Sequence, residues 1–270
     1  MRLNLRVIIG LVVAAVSLFG YFFNTSKNEV TGETQHVSMS TDQEIALGLQ
    51  AAPEMAAQYG GESPDARAAA AVEQVGEKII ASTKAGQTAY KFRFHLLADD
   101  HTINAFALPG GQVFITQGLL KNLTSEAQLA GVLAHEIGHV VARHSAAQVA
   151  KSNLTQGLAG AASIASYDPN SPGSSIAKAA IAAAIAKVVT LRFSRNDELQ
   201  ADKLAVDFTP KAGYDPRAMI KVMEMLQQQE GRAATPEFMS THPDPGNRIG
   251  ELQKEIAAEY PQGVPAGLKQ

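Results

Sequence analysis

The stretch His135-Glu136-Ile137-Gly138-His139 has residue types and a spacing suited to metal-dependent hydrolysis. Residues four apart lie above one another on the same face of a helix, so the two imidazoles could bind one ion. The glutamate beside the first histidine could then act as general base towards an attacking water. The pattern therefore predicts a catalytic zinc site, provided that the stretch is helical.

The flanking residues predict that helix. Ser125 and Gln128 have the spacing of a capping box, and Glu126 suits the positive end of a helix dipole. Apolar residues then recur at helical spacing as far as Val140, which predicts one continuous helix running on through His144. The alternative is an amphipathic helix whose histidines bind no metal and face the surface. Their apolar neighbours would then leave both histidines half-buried without hydrogen-bond partners, which is unfavourable.

A catalytic zinc ion has three protein ligands and one open position, so a third ligand must lie outside this stretch. His144 follows His139 by five residues, about 140° further round a helix, and is expected to face away towards the surface. His95 and His101, near a predicted strand, and His242, far downstream, are further candidates.

Glu198 is the strongest candidate for the third ligand. It stands in Asn196-Asp197-Glu198-Leu199-Gln200-Ala201-Asp202, which predicts the start of a second helix. Glu198 and Asp202 are four apart and would share a face, so one could bind zinc while the other accepts the free N–H of a ligating histidine. On spacing alone, a solvated acidic helix face explains the pair at least as well.

Four motifs in the same order resemble those of the membrane-associated zinc metallopeptidases that include HtpX, BepA and the CAAX prenyl endopeptidase. They are H-E-I-G-H, E-L-Q-A-D around Glu198, N-A-F-A-L-P-G-G-Q-V-F-I from Asn104 to Ile115, and Thr241-His242-Pro243 with Arg248. The motifs span more than half of the chain. The resemblance implies a gluzincin fold: mostly helical α+β, with a small β-sheet beside the active-site helix.

The resemblance also implies roles for individual residues. His135, His139 and Glu198 would bind one Zn²⁺ per chain, and Glu136 would be the general base. Asp202 would accept a hydrogen bond from a ligating histidine without itself contacting the metal. Two histidines and one carboxylate could equally hold iron or manganese, so zinc is inferred from the family.

The loop with His242 and Arg248 would lie near the metal in such a protein. There it would cover the open coordination site or help to stabilise the oxyanion. A surface loop held by Pro243 and Pro245 is the alternative reading of the same residues.

The segment Ala107–Ile115 would form an edge strand beside the cleft. Val113-Phe114-Ile115 is β-prone, and Pro109-Gly110-Gly111 predicts a turn or bulge. An edge strand can bind an extended peptide through main-chain hydrogen bonds, although these residues could also simply complete a sheet. The predicted substrate-binding positions are Asn104, Ala105, Phe106, Ala107, Gly110 and Gly111.

The N-terminal residues predict a membrane anchor. Arg2 and Arg6 precede Val7–Phe23, a run of 17 residues without charge that is just long enough to span a bilayer. The run ends in aromatic residues and lacks a small-residue cleavage site, which favours an uncleaved signal anchor over a cleaved signal. In a bacterium the arginines would leave the remaining chain on the periplasmic side of the inner membrane; after cleavage it would be a periplasmic protein.

The predicted organisation is an anchor (1–23), a flexible polar tether (24–40), one metallopeptidase domain (41–260) and a tail (261–270). The domain is expected to contain a helix from Thr41 to Tyr59, a second from Pro64 to Thr83 and a strand over Tyr90–Leu97. An alanine-rich helical hairpin is predicted over Leu154–Thr190, and two final helices over about 215–229 and 246–260.

Composition narrows the function. A net charge of −3 gives no basic surface for nucleic acid, and the absence of cysteine excludes disulfides, thiolate zinc sites and cysteine nucleophiles. The expected function is a membrane-anchored zinc endopeptidase that cleaves membrane or exported proteins in quality control. A single predicted span disfavours prenyl-protein processing. The alternative is a chaperone-like protein that binds clients with little proteolytic turnover.

Overall fold

The structure, a computed structural model, describes residues 5–165, 193–229, 236–243 and 246–270. The part of the predicted helical hairpin that follows residue 165 lies outside the described residues, as do Arg2 and Pro245. The helices, in chain order, are α1 Leu5–Phe23, α2 Thr41–Gln58, α3 Ala66–Ser82, α4 Gln117–Leu120, α5 Glu126–Val141, α6 His144–Ala165, α7 Arg195–Lys211, α8 Ala218–Gln229, α9 Glu237–Thr241 and α10 Arg248–Glu259. The strands are β1 Thr25–Lys27, β2 Thr34–His36, β3 Arg93–Leu97, β4 Ala105–Leu108 and β5 Gln112–Thr116. The predicted mostly helical α+β fold is confirmed.

Helix α5 lies at the centre of the domain. Every residue from Ala127 to Val141 is buried, because α5 packs against α3, α7, α8 and the strands β4 and β5. It approaches α7 closely at Gly138, where an added Cβ would lie 3.1 Å from the carbonyl oxygen of Ala201. The absence of a side chain at this position lets the two helices that carry the predicted ligands meet face to face.

The larger sheet has three strands in the order β3-β5-β4, with β3 parallel and β4 antiparallel to β5. The prediction of one edge strand over Ala107–Ile115 is wrong, because the chain reverses within that segment. Gly110 and Gly111 adopt φ values of 83° and 106°, which form the turn between β4 and β5. Of the two strands in this segment, β4 lies at an edge of the sheet, whereas β5 is central and all five of its residues are buried.

The predicted tether at 24–40 instead contains the antiparallel pair β1–β2. Between the two strands, the buried side chain of Asn28 accepts hydrogen bonds from the backbone N–H groups of Val30 and Thr31, both at 2.9 Å. Its amide donates to the carbonyl of Val141 at 2.8 Å, one of the carbonyls left unpaired where α5 ends. These contacts attach the hairpin to the end of the central helix.

The prediction of a continuous helix through His144 is also wrong. Helix α5 ends at Val141, and Arg143 adopts a left-handed backbone conformation with a φ of 59° before α6 begins. The Arg143 side chain stabilises this break by donating to Glu44 at 2.9 Å and to the carbonyl of Met39 at 2.8 Å. The break turns His144 inward: it is 2% exposed and does not lie on the surface.

Helix α1 contains the predicted anchor segment Val7–Phe23 and packs along α6. Within the described parts of the chain, no helix meets the combined length and apolarity expected of a membrane span. The membrane anchor therefore stays a prediction.

Candidate metal centre

Three parts of the fold supply the predicted site residues. Helix α5 provides the H-E-x-x-H stretch, and α7 provides Glu198 and Asp202. Ser194 and Asp197 cap α7 reciprocally, which places Glu198 in its first turn. His242 ends the short helix α9, and Arg248 begins α10.

The predicted zinc ligands have the spacing of a tetrahedral site. Nε2 of His135 lies 3.0 Å from Nε2 of His139 and 3.4 Å from Oε2 of Glu198. Nε2 of His139 lies 3.5 Å from Oε1 of Glu198. Zinc bonds of about 2.0–2.1 Å in a tetrahedron place neighbouring ligand atoms about 3.4 Å apart. The three side chains therefore fit one zinc ion.

His242 occupies the fourth corner of this cluster. Its Nδ1 lies 3.3 Å from Nε2 of His135 and 3.2 Å from Oε1 of Glu198. One potential ligand atom from each of the four residues lies within 4.8 Å of the others. All four side chains are at most 1% exposed. His242 thus stands where a catalytic zinc would keep a position for water.

Glu136 is buried beside the cluster without a hydrogen-bond partner. Neither of its carboxylate oxygens is hydrogen-bonded within the part of the chain that the structure describes, and Nε2 of His242 lies 3.4 Å from Oε1. Burial raises the pKa of this carboxyl group. A buried carboxylate without a hydrogen-bond partner is available to take a proton from a small molecule such as water.

Asp202 and Arg248 form a second layer behind the cluster. Oδ1 of Asp202 lies 2.9 Å from Nδ1 of His135, an arrangement in which His135 donates and keeps its Nε2 lone pair for a metal. Arg248 donates to both oxygens of Asp202, at 2.8 and 2.7 Å, and lies 3.2 Å from Oε2 of Glu198. Two carboxylates are therefore oriented by one guanidinium.

The site favours positive charge. Three buried carboxyl groups, Glu136, Glu198 and Asp202, face one guanidinium, which leaves a formal charge of −2 if all three are ionised (three negative charges against one positive). Burial and Arg248 lower the pKa of His135, but hydrogen bonds to Asp202 and Glu198 outweigh both and raise it to about 9. The interactions that favour a proton on His135 would favour a dication held by its Nε2.

The predicted edge strand contacts the helix that carries His242. Nδ2 of Asn104 donates to the Tyr59 hydroxyl at 3.1 Å, and that hydroxyl donates to Glu237 at 2.6 Å. The Phe238 N–H also donates to the carbonyl of Ile103 at 3.2 Å. Helix α9 is thereby attached to the start of β4.

The other predicted substrate-binding positions are distributed along the β4–β5 hairpin. Ala105 and Ala107 are buried, and the half-buried ring of Phe106 stacks on Phe114 with centroids 4.8 Å apart. Gly110 and Gly111 form the turn beneath α2, where a Cβ on Gly110 would meet the backbone of Ile45. The hydrogen bonds described above that reach α9 come from the Asn104 end of the hairpin.

Sequence reasoning missed two residues that touch the cluster. Nδ1 of His144 lies 2.9 Å from Nδ1 of His139, and the ring of Phe193 stacks on His139 with centroids 3.9 Å apart. No glycine or proline marks the helix break before His144, so the usual sequence signal is missing. Of the other histidines considered, His95 contacts Glu62 and Gln112, and His101 is exposed.

Comparison with known proteins gives consistent matches. The profile of the family described as Peptidase family M48 matches residues 66–256. A beta-barrel assembly-enhancing protease from Yersinia pestis is 29% identical over 228 residues, which are 82% of this chain and 46% of that protein. A putative protein of the same name from Vibrio cholerae is 33% identical over 196 residues, 70% of this chain and 39% of the relative. The chain spans less than half the length of these two relatives.

A mitochondrial relative covers more of the chain. The mitochondrial metalloendopeptidase OMA1 of Schizosaccharomyces pombe is 30% identical over 250 residues, 92% of this chain and 71% of the relative. This similarity extends over nearly the whole chain, and the family profile spans all three parts of the fold that form the cluster.

We predict that Asp202→Asn weakens zinc binding about 10- to 100-fold, because His135 loses the carboxylate that fixes its tautomer. The measurement is a competition titration of the purified protein against a chromogenic zinc chelator. Asp207→Asn is the matched control, since Asp207 lies on the same helix and pairs with Lys211 away from the site. Equal zinc affinity in the two folded variants would contradict the role of Asp202.

Proposed function

The chain belongs to peptidase family M48, whose members are zinc-dependent metallopeptidases, and on this premise we propose that it is an endopeptidase that hydrolyses peptide bonds at the cluster. One observation carries the proposal: His135, His139 and Glu198 have tetrahedral spacing beside the orphaned carboxylate of Glu136. Metal ligands without such a base would suit a purely structural zinc site. The base beside them suits hydrolysis.

The chemistry follows from these groups. His135, His139 and Glu198 would hold the zinc ion, which would supply Lewis acidity towards the peptide carbonyl and the attacking water. Glu136 takes the proton of the attacking water on a carboxylate oxygen and then delivers it to the leaving amide nitrogen. Its carboxylate suits this double role, because it is buried beside the ligands and has no hydrogen-bond partner among the described residues. Asp202 and Arg248 hold His135 and Glu198 in place throughout.

We assign His242 to covering the site. Its Nδ1 fills the fourth corner and its Nε2 faces Glu136, so a substrate carbonyl and water would need the space that its ring occupies. Arg248 already contacts Asp202 and Glu198, which favours a positioning role over contact with the oxyanion. Activity then requires that α9 moves His242 away from the cluster.

The proposed setting is protein quality control at a membrane. Relatives named as a beta-barrel assembly-enhancing protease and a mitochondrial metalloendopeptidase support this class of function. The proposed substrates are membrane or exported proteins, bound as extended segments along β4. The exposed apolar side chains of α1, which include Leu11, Val16 and Phe19, support anchoring through Val7–Phe23, with the enzyme on the periplasmic side in a bacterium.

A client-binding protein with little turnover is the second candidate. The complete burial of the cluster under His242 favours it, since a closed site would not cleave. Digestion of casein with and without a zinc chelator separates the two candidates. Chelator-sensitive cleavage supports the peptidase.

Glu136→Gln is expected to lower the rate of casein cleavage by at least about 100-fold, because an amide cannot accept the proton. Zinc content, measured by metal analysis of the same preparation, should be unchanged. Glu77→Gln, an exposed change on α3, serves as the control and should leave both quantities unaltered. Retained cleavage would contradict the base assignment, and loss of zinc would make Glu136 a ligand.

His242→Ala is expected to increase casein cleavage several-fold at saturating zinc, because the fourth corner becomes free for water. The same change should weaken zinc binding, since one potential ligand is lost. His101→Ala, on an exposed loop, is the control. A variant that keeps zinc but cleaves more slowly would instead support the oxyanion role.

The anchor is tested by flotation of the full-length chain with membranes after a high-salt wash. The wild type should float, and Leu11→Glu with Val16→Glu should not, because charge on these exposed apolar positions opposes insertion. Ala70→Glu with Gln74→Glu adds the same charge to exposed positions on α3 and should float. A soluble wild type, or flotation of the Leu11/Val16 variant, would contradict the anchor.

A further inference from the structure

His144 is a buried histidine that the proposed mechanism leaves unused. Its Nδ1 lies 2.9 Å from Nδ1 of His139, and its Nε2 lies 2.8 Å from Oε1 of Gln200 on α7. The side chains of His139, His144 and Gln200 thus form a continuous row from α5 to α7. Among the described residues, the carboxylate within ion-pair distance of its ring is Asp197, whose Oδ1 is 3.9 Å from Nε2 of His144.

The direction of these hydrogen bonds follows from the position of His139. Two Nδ1 atoms bond only when one carries a proton and the other a lone pair. If His139 directs the lone pair of Nε2 at zinc, its proton must lie on Nδ1, so His139 donates and His144 accepts. His144 then has its own proton on Nε2, and Oε1 of Gln200 accepts it. Each donor thus meets an acceptor.

The environment supports neutral rings. His139 and His144 are 1% and 2% exposed, and both nitrogens of His144 have a hydrogen-bond partner, Nδ1 of His139 and Oε1 of Gln200. A neutral His144 can accept at Nδ1, whereas a protonated one could only donate.

The backbone break at Arg143 makes this contact possible. On an unbroken helix, residue 144 would point about 140° away from residue 139. The left-handed conformation of Arg143, held by the buried Glu44, returns the chain so that α6 begins with His144 against His139. A non-glycine residue in this conformation needs such support from its surroundings.

We propose that His144 is a positioning residue for the zinc ligand His139: it fixes the tautomer and the ring plane of His139 and is itself oriented by Gln200. The proposal rests on the assignment of His139 as a ligand. It gives the two histidines of α5 different supports, since His135 donates to a carboxylate and His139 to a neutral imidazole. A neutral imidazole acceptor raises the basicity of the ligating histidine less than a carboxylate does. The metal ion would therefore keep more of its Lewis acidity.

The first test is the zinc affinity of the full-length chain, measured by competition with a chelator. His144→Leu should weaken binding about 10- to 100-fold, the range typical for the loss of a partner behind a ligand. His144→Asn should recover most of the affinity, because its Oδ1 can accept from His139 in place of Nδ1. His101→Leu, a change at an exposed histidine, should have no effect.

His139→Ala separates failure of this proposal from failure of the ligand assignment. If His139→Ala leaves the affinity unchanged, His139 is not a ligand and the proposed function fails with it. If His139→Ala weakens binding but His144→Leu does not, only the positioning role is overturned. Equal affinity for His144→Leu and His144→Asn would also overturn it, because a purely structural role does not depend on the acceptor.

The second test reads the tautomers directly in the zinc-loaded protein. Long-range ¹H–¹⁵N spectra of histidine-labelled protein should place the His139 proton on Nδ1 and the His144 proton on Nε2. Assignment of the spectra uses His144→Asn, which removes one ring without removing the acceptor. A His144 ring with its proton on Nδ1 would overturn the proposal.

Discussion

Burial of uncompensated negative charge is the constraint on which the site depends. Glu136, Glu198 and Asp202 are almost fully buried around Arg248, the guanidinium that faces them. Ionised carboxylates in such surroundings are strongly disfavoured unless a cation compensates them. A zinc ion at the imidazole cluster supplies two positive charges where the formal balance is −2. The same excess of negative charge explains why the pKa of His135 is raised, because its hydrogen bonds to Asp202 and Glu198 favour the protonated ring.

The rest of the domain brings these groups together. The close approach of α5 and α7 at Gly138 aligns the ligand faces, and Arg248 orients the carboxylates from α10. At the end of α5, the β1–β2 hairpin and Arg143 bind the chain where it leaves the core. Helix α5 is thus fixed along its length, whereas His242 follows a short helix that is hydrogen-bonded to the residues just before β4 and to Tyr59.

Local patterns in the sequence predicted much of the site. The period of a helix placed His135 above His139 and Glu198 above Asp202, and capping residues located the start of α5 at Ser125. Errors arose where tertiary contacts override local signals. Arg143 breaks the helix through its contact with Glu44, a residue 99 positions earlier, so no local pattern could place His144 beside His139. Asn28 likewise orders the predicted tether through a carbonyl of α5.

The central claim is that three histidines and one glutamate surround a single zinc ion in the resting protein. Zinc K-edge X-ray absorption of the wild type measures this coordination directly. We predict one zinc per chain with four nitrogen or oxygen ligands at about 2.0–2.1 Å, three of them giving the outer-shell scattering of imidazole. One imidazole should disappear from the spectrum of His242→Ala. Two imidazoles in the wild type, or a spectrum unchanged by that substitution, would contradict the account.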